Sequence, residues 1–138
     1  MTRLLLALCL AATCAGCGDD TPTSPTSALT LTTESFTGTL TVNGQRFYAF
    51  NAPSGSAVSV LLANLRTADT PALPSTAVGL GVGIPAGTGC AVANSVVTTP
   101  ALTSQFQASV DSGIHCVAIF DTGALTEAVS FAIRFSHF

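Results

Sequence analysis

Residues 129–136 have the sequence VSFAIRFS, in which every second side chain is apolar or small and the others are mostly polar. Successive side chains of a β-strand point to opposite faces, so this alternation places one face against a core and the other toward solvent. An α-helix would need apolar residues three and four positions apart. The inward set is Val129, Phe131, Ile133 and Phe135. The segment therefore predicts a β-strand that covers one side of a hydrophobic core.

The same period of two recurs along most of the chain, interrupted at short intervals by glycine, proline, asparagine or aspartate. It predicts further strands at residues 36–42, 45–51, 57–65, 78–84, 90–97, 104–110 and 114–120. About eight short strands with turns between them favour an all-β fold. We expect residues 29–138 to form a two-sheet antiparallel β-sandwich, jelly-roll or immunoglobulin-like in general shape.

Two of these strand regions carry more detailed predictions. Asn43-Gly44 supplies two residue types that accept positive φ, which predicts a tight hairpin between the strands on either side. In residues 78–84 the glycines at 79, 81 and 83 alternate with bulky apolar residues at 78, 80, 82 and 84. This alternation predicts a strand with one bulky face and one bare face, over which another backbone or side chain passes closely.

The composition excludes several classes of protein. The chain has 138 residues, of which 48% are hydrophobic and 8% charged, with a formal net charge of −3 and a mean hydropathy of +0.58. This balance excludes intrinsic disorder for most of the chain. The longest apolar run, residues 4–12, is far shorter than the roughly 20 residues of a membrane-spanning helix. Because the four cationic residues are all arginines and form no basic face, we expect no nucleic-acid partner.

Residues 1–16 have the features of an export signal, with Arg3 before a short apolar stretch and small residues Ala15 and Gly16 at the end. The segment Cys14-Ala15-Gly16-Cys17 resembles the lipobox of bacterial lipoprotein signal peptides. That resemblance implies cleavage before Cys17 and attachment of a lipid to its thiol. An ordinary secretory signal cleaved near Ala15 is the alternative, and it would leave Cys17 as a free thiol.

Residues 17–28 begin with the lipidated Cys17 and continue as a polar segment interrupted by Pro22 and Pro25. Proline favours extended conformations of about 3 Å per residue, so this segment would hold a domain up to roughly 30 Å from a lipid surface. We expect a flexible tether and a location in the bacterial cell envelope, anchored to a membrane through the lipid and facing the periplasm or the cell exterior.

Cys90 and Cys116 are the only cysteines beyond the amino-terminal region, and each lies in a predicted strand. An even pair in an exported protein predicts a disulfide, and two buried free thiols are the alternative. His115 points to the opposite strand face from Cys116, and His137 lies at the chain terminus. We therefore expect no metal site at these residues.

The residues that could support catalysis are few. His115 could be combined with Asp111 or Asp121 and a serine, but no serine lies in a Gly-x-Ser-x-Gly motif. Asp121 and Glu127 could form a carboxylate pair, yet both flank the turn at Thr122-Gly123, where aspartate is favoured for its hydrogen bonds to the backbone. We expect no catalytic residue and no bound cofactor. Tryptophan is absent and most phenylalanines fall on predicted core faces, which leaves no obvious aromatic platform for sugars.

Several short segments carry a family resemblance: residues 35–40, 46–50, 113–121, 125–131 and 136–137. Together they resemble the bacterial pre-peptidase C-terminal domain, over roughly Glu34 to the end of the chain. The resemblance implies a compact β-sandwich. Members often follow secreted peptidase domains, where they are thought to aid secretion, stability or substrate attachment, and some bind collagen or calcium. This chain departs from the pattern at His115, Ala118 and Ala128.

These observations predict a non-catalytic cell-envelope lipoprotein whose β-sandwich serves as an accessory module for binding or structural support. The alternative is a carbohydrate- or protein-ligand-binding module that works with a separately encoded secreted hydrolase. Either function implies a membrane contact through the lipid and an envelope protein or polysaccharide as partner.

Overall fold

The computed structural model describes residues 29–53, 55–69, 72 and 75–138. These residues form eight strands: β1 Thr32–Leu40, β2 Gln45–Ala52, β3 Ser56–Arg66, β4 Val78–Ala86, β5 Gly89–Thr98, β6 Phe106–Val110, β7 Gly113–Phe120 and β8 Val129–His137. No helix occurs among the described residues, and the predicted all-β class is confirmed. The predicted signal segment, Cys17 and the tether lie outside the described residues.

The strands form two antiparallel four-stranded sheets packed face to face. The first sheet has the order β1-β8-β3-β6 and the second has the order β2-β7-β4-β5. The core lies between them and is built from the inward-facing aliphatic and aromatic side chains that the alternation predicts. Its largest fully buried members are Leu40, Val58, Val60, Leu62, Leu65, Val78, Leu80, Val117, Ile119, Val129, Ile133 and Phe135.

The predicted hairpin at Asn43-Gly44 is wrong. β1 pairs with β8 and β2 pairs with β7, so the turn carries the chain from one sheet to the other. The Gly44 amide donates to the Thr41 carbonyl at 2.9 Å, and of the two turn residues only Asn43 has a positive φ, 54°. A two-residue type I′ hairpin needs positive φ at both positions, whereas a type II turn needs it only at the third of its four residues. The turn therefore forms at the predicted residues, but it connects a strand of one sheet to a strand of the other.

The bare face predicted for β4 is present and is covered by neighbouring side chains. A Cβ added at Gly79 would lie 2.2 Å from the Phe120 ring, and one added at Gly81 would lie 2.4 Å from Val92. On the bulky face, Val78, Leu80 and Val82 are buried in the core, but Ile84 is 61% exposed. The difference arises because the β4–β5 pairing shifts register between Val82 and Gly83, and β4 leaves β7 at that point.

Beyond this register shift, residues 84–92 form a flap that folds back over the outer face of the second sheet. The side-chain amide of Gln45 on β2 accepts from the Cys90 amide at 3.0 Å and donates to the Cys90 carbonyl at 3.3 Å. β2 and β5 are opposite edges of this sheet, roughly 14 Å apart at the usual strand spacing. The β4–β5 hairpin therefore has to bend across the strands between β2 and β5 to bring Gln45 and Cys90 into contact.

An aromatic cluster closes the side of the sandwich where β1 and β2 face each other. The Phe36 and Tyr48 rings stack with centroids 5.7 Å apart, and Phe135 contacts both of them and Phe50. Nε of Arg46 also donates to the Thr39 carbonyl at 2.9 Å, which adds a polar link between the same two strands. The two sheets are therefore fastened together along this side by side chains.

Candidate functional site

The structure contains the predicted disulfide between Cys90 and Cys116. Cys90 lies in the flap and Cys116 on the outer face of β7, so the bond fastens the flap to the sheet beneath it. Both cysteines are buried with Ala118, and Phe47 and Val92 pack against them. The second sheet is thus buried on both faces over this region, which explains why its central strands β4 and β7 are almost entirely apolar. The disulfide belongs to a small second core and leaves neither Cys90 nor Cys116 as a free thiol.

Glu34 links the two sheets at the β1–β2 side of the sandwich. Nε2 of His137 on β8 donates to Oε1 of Glu34 at 3.0 Å, and the Tyr48 hydroxyl on β2 donates to Oε2 at 2.8 Å. The hydrogen bond from His137 lowers the pKa of Glu34, burial opposes it, and the bond from Tyr48 lowers the pKa further. The same carboxylate raises the pKa of the Tyr48 phenol. Since both of its oxygens are engaged, Glu34 acts as a clamp between strands.

We expect this clamp to make stability depend on acid. The pKa of Glu34 in the folded chain is below its ordinary value of 4.5, so ionised Glu34 stabilises the fold above that pH. The contribution is lost as the pH falls through the folded pKa. The free energy of unfolding, measured by urea denaturation between about pH 6 and pH 3, should therefore fall less steeply in Glu34→Gln than in the unmodified chain. Glu127→Gln removes an exposed carboxylate and should keep the original profile; identical slopes in all three proteins would contradict the clamp.

Asp121 fastens two loops together through the backbone. Its Oδ2 accepts from the Asn43 amide at 2.8 Å, and its Oδ1 accepts from the amides of Gly123, Ala124 and Leu125 at 2.8, 3.0 and 3.2 Å. The hydrogen bond from Asn43 is the largest cause of a lowered pKa at Asp121. Both oxygens are occupied by backbone donors, so the structure assigns Asp121 to the turn and not to a carboxylate pair with Glu127.

The other groups considered for catalysis are not brought together as a relay. Nε2 of His115 lies 2.9 Å from the backbone carbonyl oxygen of Asp111, and its ring contacts Phe50. The described residues contain no group of three or more His, Cys, Asp or Glu side chains that could hold a metal ion. Nor does the part of the chain with described coordinates include a helix long and apolar enough to cross a membrane.

A β-bulge at Ala63 changes which face the end of β3 presents. Leu62 pairs with Ile133 and Asn64 pairs with Ala132, so Ala63 is the extra residue. Without the bulge, strict alternation from Val58 and Leu62 would turn Asn64 and Arg66 into the core. With the bulge, Leu65 is buried and Arg66 is exposed on the outer face of the first sheet. The change of phase between Leu62 and Leu65 is visible in the sequence and could have predicted the bulge.

Gln105 supports the bulge from the edge of the sheet. Its side-chain Oε1 accepts from the Leu62 amide at 2.9 Å, and its Nε2 donates to the carbonyls of Leu62 and Thr99 at 3.0 and 3.1 Å. The Ala101 amide also donates to the Leu62 carbonyl at 3.1 Å. These bonds replace the regular β3–β6 pairing, which stops at the first residue of β6, where Val60 pairs with Phe106. The Leu62 backbone groups beside the bulge are therefore satisfied.

The outward turn of Asn64 and Arg66 creates a polar pocket on the first sheet, which we call the bulge pocket. Its volume is about 320 Å³, and it is lined by Thr37, Gly38, Thr39, Asn64, Arg66, Ser130, Phe131 and Ala132. No acidic side chain lines it. In the part of the chain that the structure describes, the Arg66 side chain has neither an ion pair nor a hydrogen bond. The pocket thus presents an uncompensated guanidinium among hydroxyl and amide groups.

A second depression lies on the same outer face, near the ends of β3 and β8. It has a volume of about 340 Å³ and is lined by Leu31, Ala57, Val58, Ser59, Gln107, Ala108, Ser109, Ser136 and Phe138. None of these side chains is ionisable. Of the two depressions, only the bulge pocket has a charged group aimed at solvent.

Comparisons with known proteins add little. No family model matches the chain, and no curated protein matches it. One solved structure with a detectable likeness is Aeromonas hydrophila PliG, a periplasmic lysozyme inhibitor of g-type lysozyme. It is 17% identical with a TM-score of 0.46, over 77% of this chain and 86% of that chain. A likeness of this degree gives no information on what the present chain binds.

Proposed function

We propose that this chain is a non-catalytic lipoprotein of the bacterial cell envelope whose β-sandwich is an accessory module for binding a partner. The observation that carries the non-catalytic part is the use of the carboxylates. Asp121 receives four backbone amides, and Glu34 is shared between His137 and Tyr48. Carboxylates whose two oxygens both accept hydrogen bonds from groups of the fold hold strands and loops together, which is a structural use of these side chains.

The binding part of the proposal is supported by the outer face of the first sheet. Hydroxyl groups follow its strands, with Thr33 and Ser136 in contact at 2.9 Å across β1 and β8. The bulge pocket opens on this face with an unpaired guanidinium. Aromatic rings, by contrast, pack against one another at the β1–β2 side, and the most exposed of them, Tyr48, is 39% exposed and bonded to Glu34. The surface is suited to polar contacts more than to ring stacking.

The envelope location and the lipid anchor rest on the sequence. Cys14-Ala15-Gly16-Cys17 supports lipidation of Cys17 and a tether over residues 17–28, with the domain at residues 29–138 facing the periplasm or the cell exterior. The resemblance to the pre-peptidase C-terminal domain remains part of the proposal, and the two-sheet sandwich is the fold that it implies. A protein or polysaccharide of the envelope would be the partner, and a separately encoded secreted hydrolase would be the second candidate for an associated protein.

Metabolic labelling with palmitate in a bacterial host tests the anchor. We expect label in the unmodified chain and in Cys14→Ser, and complete loss of label in Cys17→Ser, because a diacylglycerol can be attached only to the cysteine at the cleavage site. Cys14→Ser is the matched control, since it changes the other cysteine of the same motif. Label retained in Cys17→Ser would remove the anchor from the proposal, and loss of label in Cys14→Ser alone would move the site.

A further inference from the structure

Two irregular features of the fold produce the bulge pocket, which is open to a ligand. An extra residue at Ala63 turns Asn64 and Arg66 outward, and beside it Gln105 bonds the Leu62 backbone groups that lie beyond the reach of β6. Bulges that redirect side chains are common beside binding sites. Here the redirected groups lie together above paired strands, in a pocket of about 320 Å³.

The charge of the pocket is opposite to that of the protein. The formal net charge of the chain is −3, yet the only ionisable side chain that lines the pocket is Arg66. A guanidinium offers parallel N–H donors that match the two oxygens of a carboxylate. A negatively charged ligand would therefore meet local attraction at this place on an otherwise acidic molecule.

The other side chains that line the pocket indicate which kind of negatively charged ligand would fit. Thr37, Thr39 and Ser130 supply hydroxyls that donate and accept, and Asn64 supplies an amide that does both. These groups match the hydroxyls of a sugar. The pocket lies on the outer face of β1, β8 and β3, and the central strand β8 is paired on both sides, so an extended peptide lying across this face would add no strand to the sheet.

We propose that the bulge pocket binds an acidic polysaccharide, with Arg66 pairing to a sugar carboxylate and the threonine, serine and asparagine side chains bonding to neighbouring hydroxyls. This inference rests on the proposed binding function and names the class of its partner. The contact is polar and salt-dependent, and it requires no aromatic platform.

Isothermal titration calorimetry on the full chain in detergent tests this proposal with a matched pair of ligands. Oligogalacturonate carries one carboxylate per sugar, and its methyl ester has the same backbone without the charge. Because hydrogen bonds to a charged group are the stronger ones, we expect the acid to bind about tenfold more tightly than the ester. Equal binding of both ligands, or binding of neither, would overturn the proposal.

Two arginine variants with the same change in net charge locate the site. Arg134 lies on the same outer face, opposite Leu61 of β3, and does not line the pocket. We expect Arg66→Gln to weaken binding of the acid by about tenfold or more and Arg134→Gln to change it by less than about twofold. Arg66→Lys, which keeps the charge without the planar fork, should fall between them. Equal losses in Arg66→Gln and Arg134→Gln would show a diffuse electrostatic effect and refute a built site.

A failure of the binding proposal can be distinguished from a failure of the proposed function. Palmitate incorporation at Cys17 does not depend on Arg66. If the binding experiments fail while palmitate is still incorporated, the acidic polysaccharide is ruled out as the ligand and the lipid anchor stands. Thermal unfolding of each arginine variant shows whether it is folded, and both are exposed positions at which substitution is well tolerated.

Discussion

Replacing Phe135 with alanine should lower the free energy of unfolding by about 3–5 kcal/mol, the largest effect that we expect from a single substitution in this domain. Phe135 lies in β8 and is 1% exposed. Its ring contacts Phe36, Tyr48 and Phe50, with centroid distances of 6.4, 5.6 and 5.3 Å. The substitution therefore removes a fully buried ring and leaves a cavity where the two sheets meet.

Urea denaturation at neutral pH measures this loss, and Phe120→Ala provides the comparison. Phe120 is the same residue type in the second sheet, but it lies on the outer face over Gly79 and is only partly buried. Its removal opens space to solvent without making an enclosed cavity, so it should cost at most about half as much. Equal losses in the two variants would contradict the assignment of Phe135 to the centre of the packing. Because a domain has only about 5–15 kcal/mol of stability in total, Phe135→Ala should also lower the yield of folded protein.

Removing the disulfide should have the second largest effect. The Cys90–Cys116 bond closes a sequence separation of 26 residues, and a loop of that length contributes about 3 kcal/mol in the chain-entropy model. Cys90→Ala with Cys116→Ala should therefore lower the free energy of unfolding by about that amount. The unmodified chain unfolded and refolded under reducing conditions should lose a similar amount. An unchanged urea midpoint in the double variant would contradict this prediction.

The structure also predicts where the double variant loosens first. Hydrogen exchange should increase in residues 84–92, because the disulfide and Gln45 are the main contacts that hold the flap against the second sheet. Strand β8 lies in the first sheet between β1 and β3 and should keep its protection at low denaturant. Uniform loss of protection across both sheets would show that the flap is not a separate unit.

Much of the fold could be predicted because one-sided burial leaves a period-two pattern in the sequence. The inward residues of β8 and the covered glycines of β4 are of this kind, since each depends only on the face to which a side chain points. Which strands pair with each other leaves no comparable pattern in the sequence. Asn43-Gly44 has the composition of a hairpin turn, yet its geometry depends on the carboxylate of Asp121, which is distant in sequence and bonds the Asn43 amide. A local pattern contains no information on that contact.

The candidate site was less predictable than the fold, for a related reason. Asn64 lay inside a predicted strand that ended at Leu65 and Arg66 lay just beyond it, and neither was predicted to be a site residue. Their exposure depends on the bulge at Ala63, beside which the Gln105 side chain bonds the Leu62 backbone from beyond the next loop. The disulfide was easier to predict because it required only that two cysteines remain beyond a predicted export signal. Side chains whose position depends on a residue distant in the sequence can be identified only from the structure.

The pairing of β1 with β8 has a consequence for how the domain is made. Thr33 meets Ser136 across this pair at a sequence separation of 103 residues. Loop closure over such a distance is entropically costly, and folds dominated by distant contacts form slowly. The first strand of the domain cannot enter its sheet until the last has been synthesised. Completion of the sandwich therefore follows synthesis of β8, and removal of β8 would leave β1 with no strand to pair with.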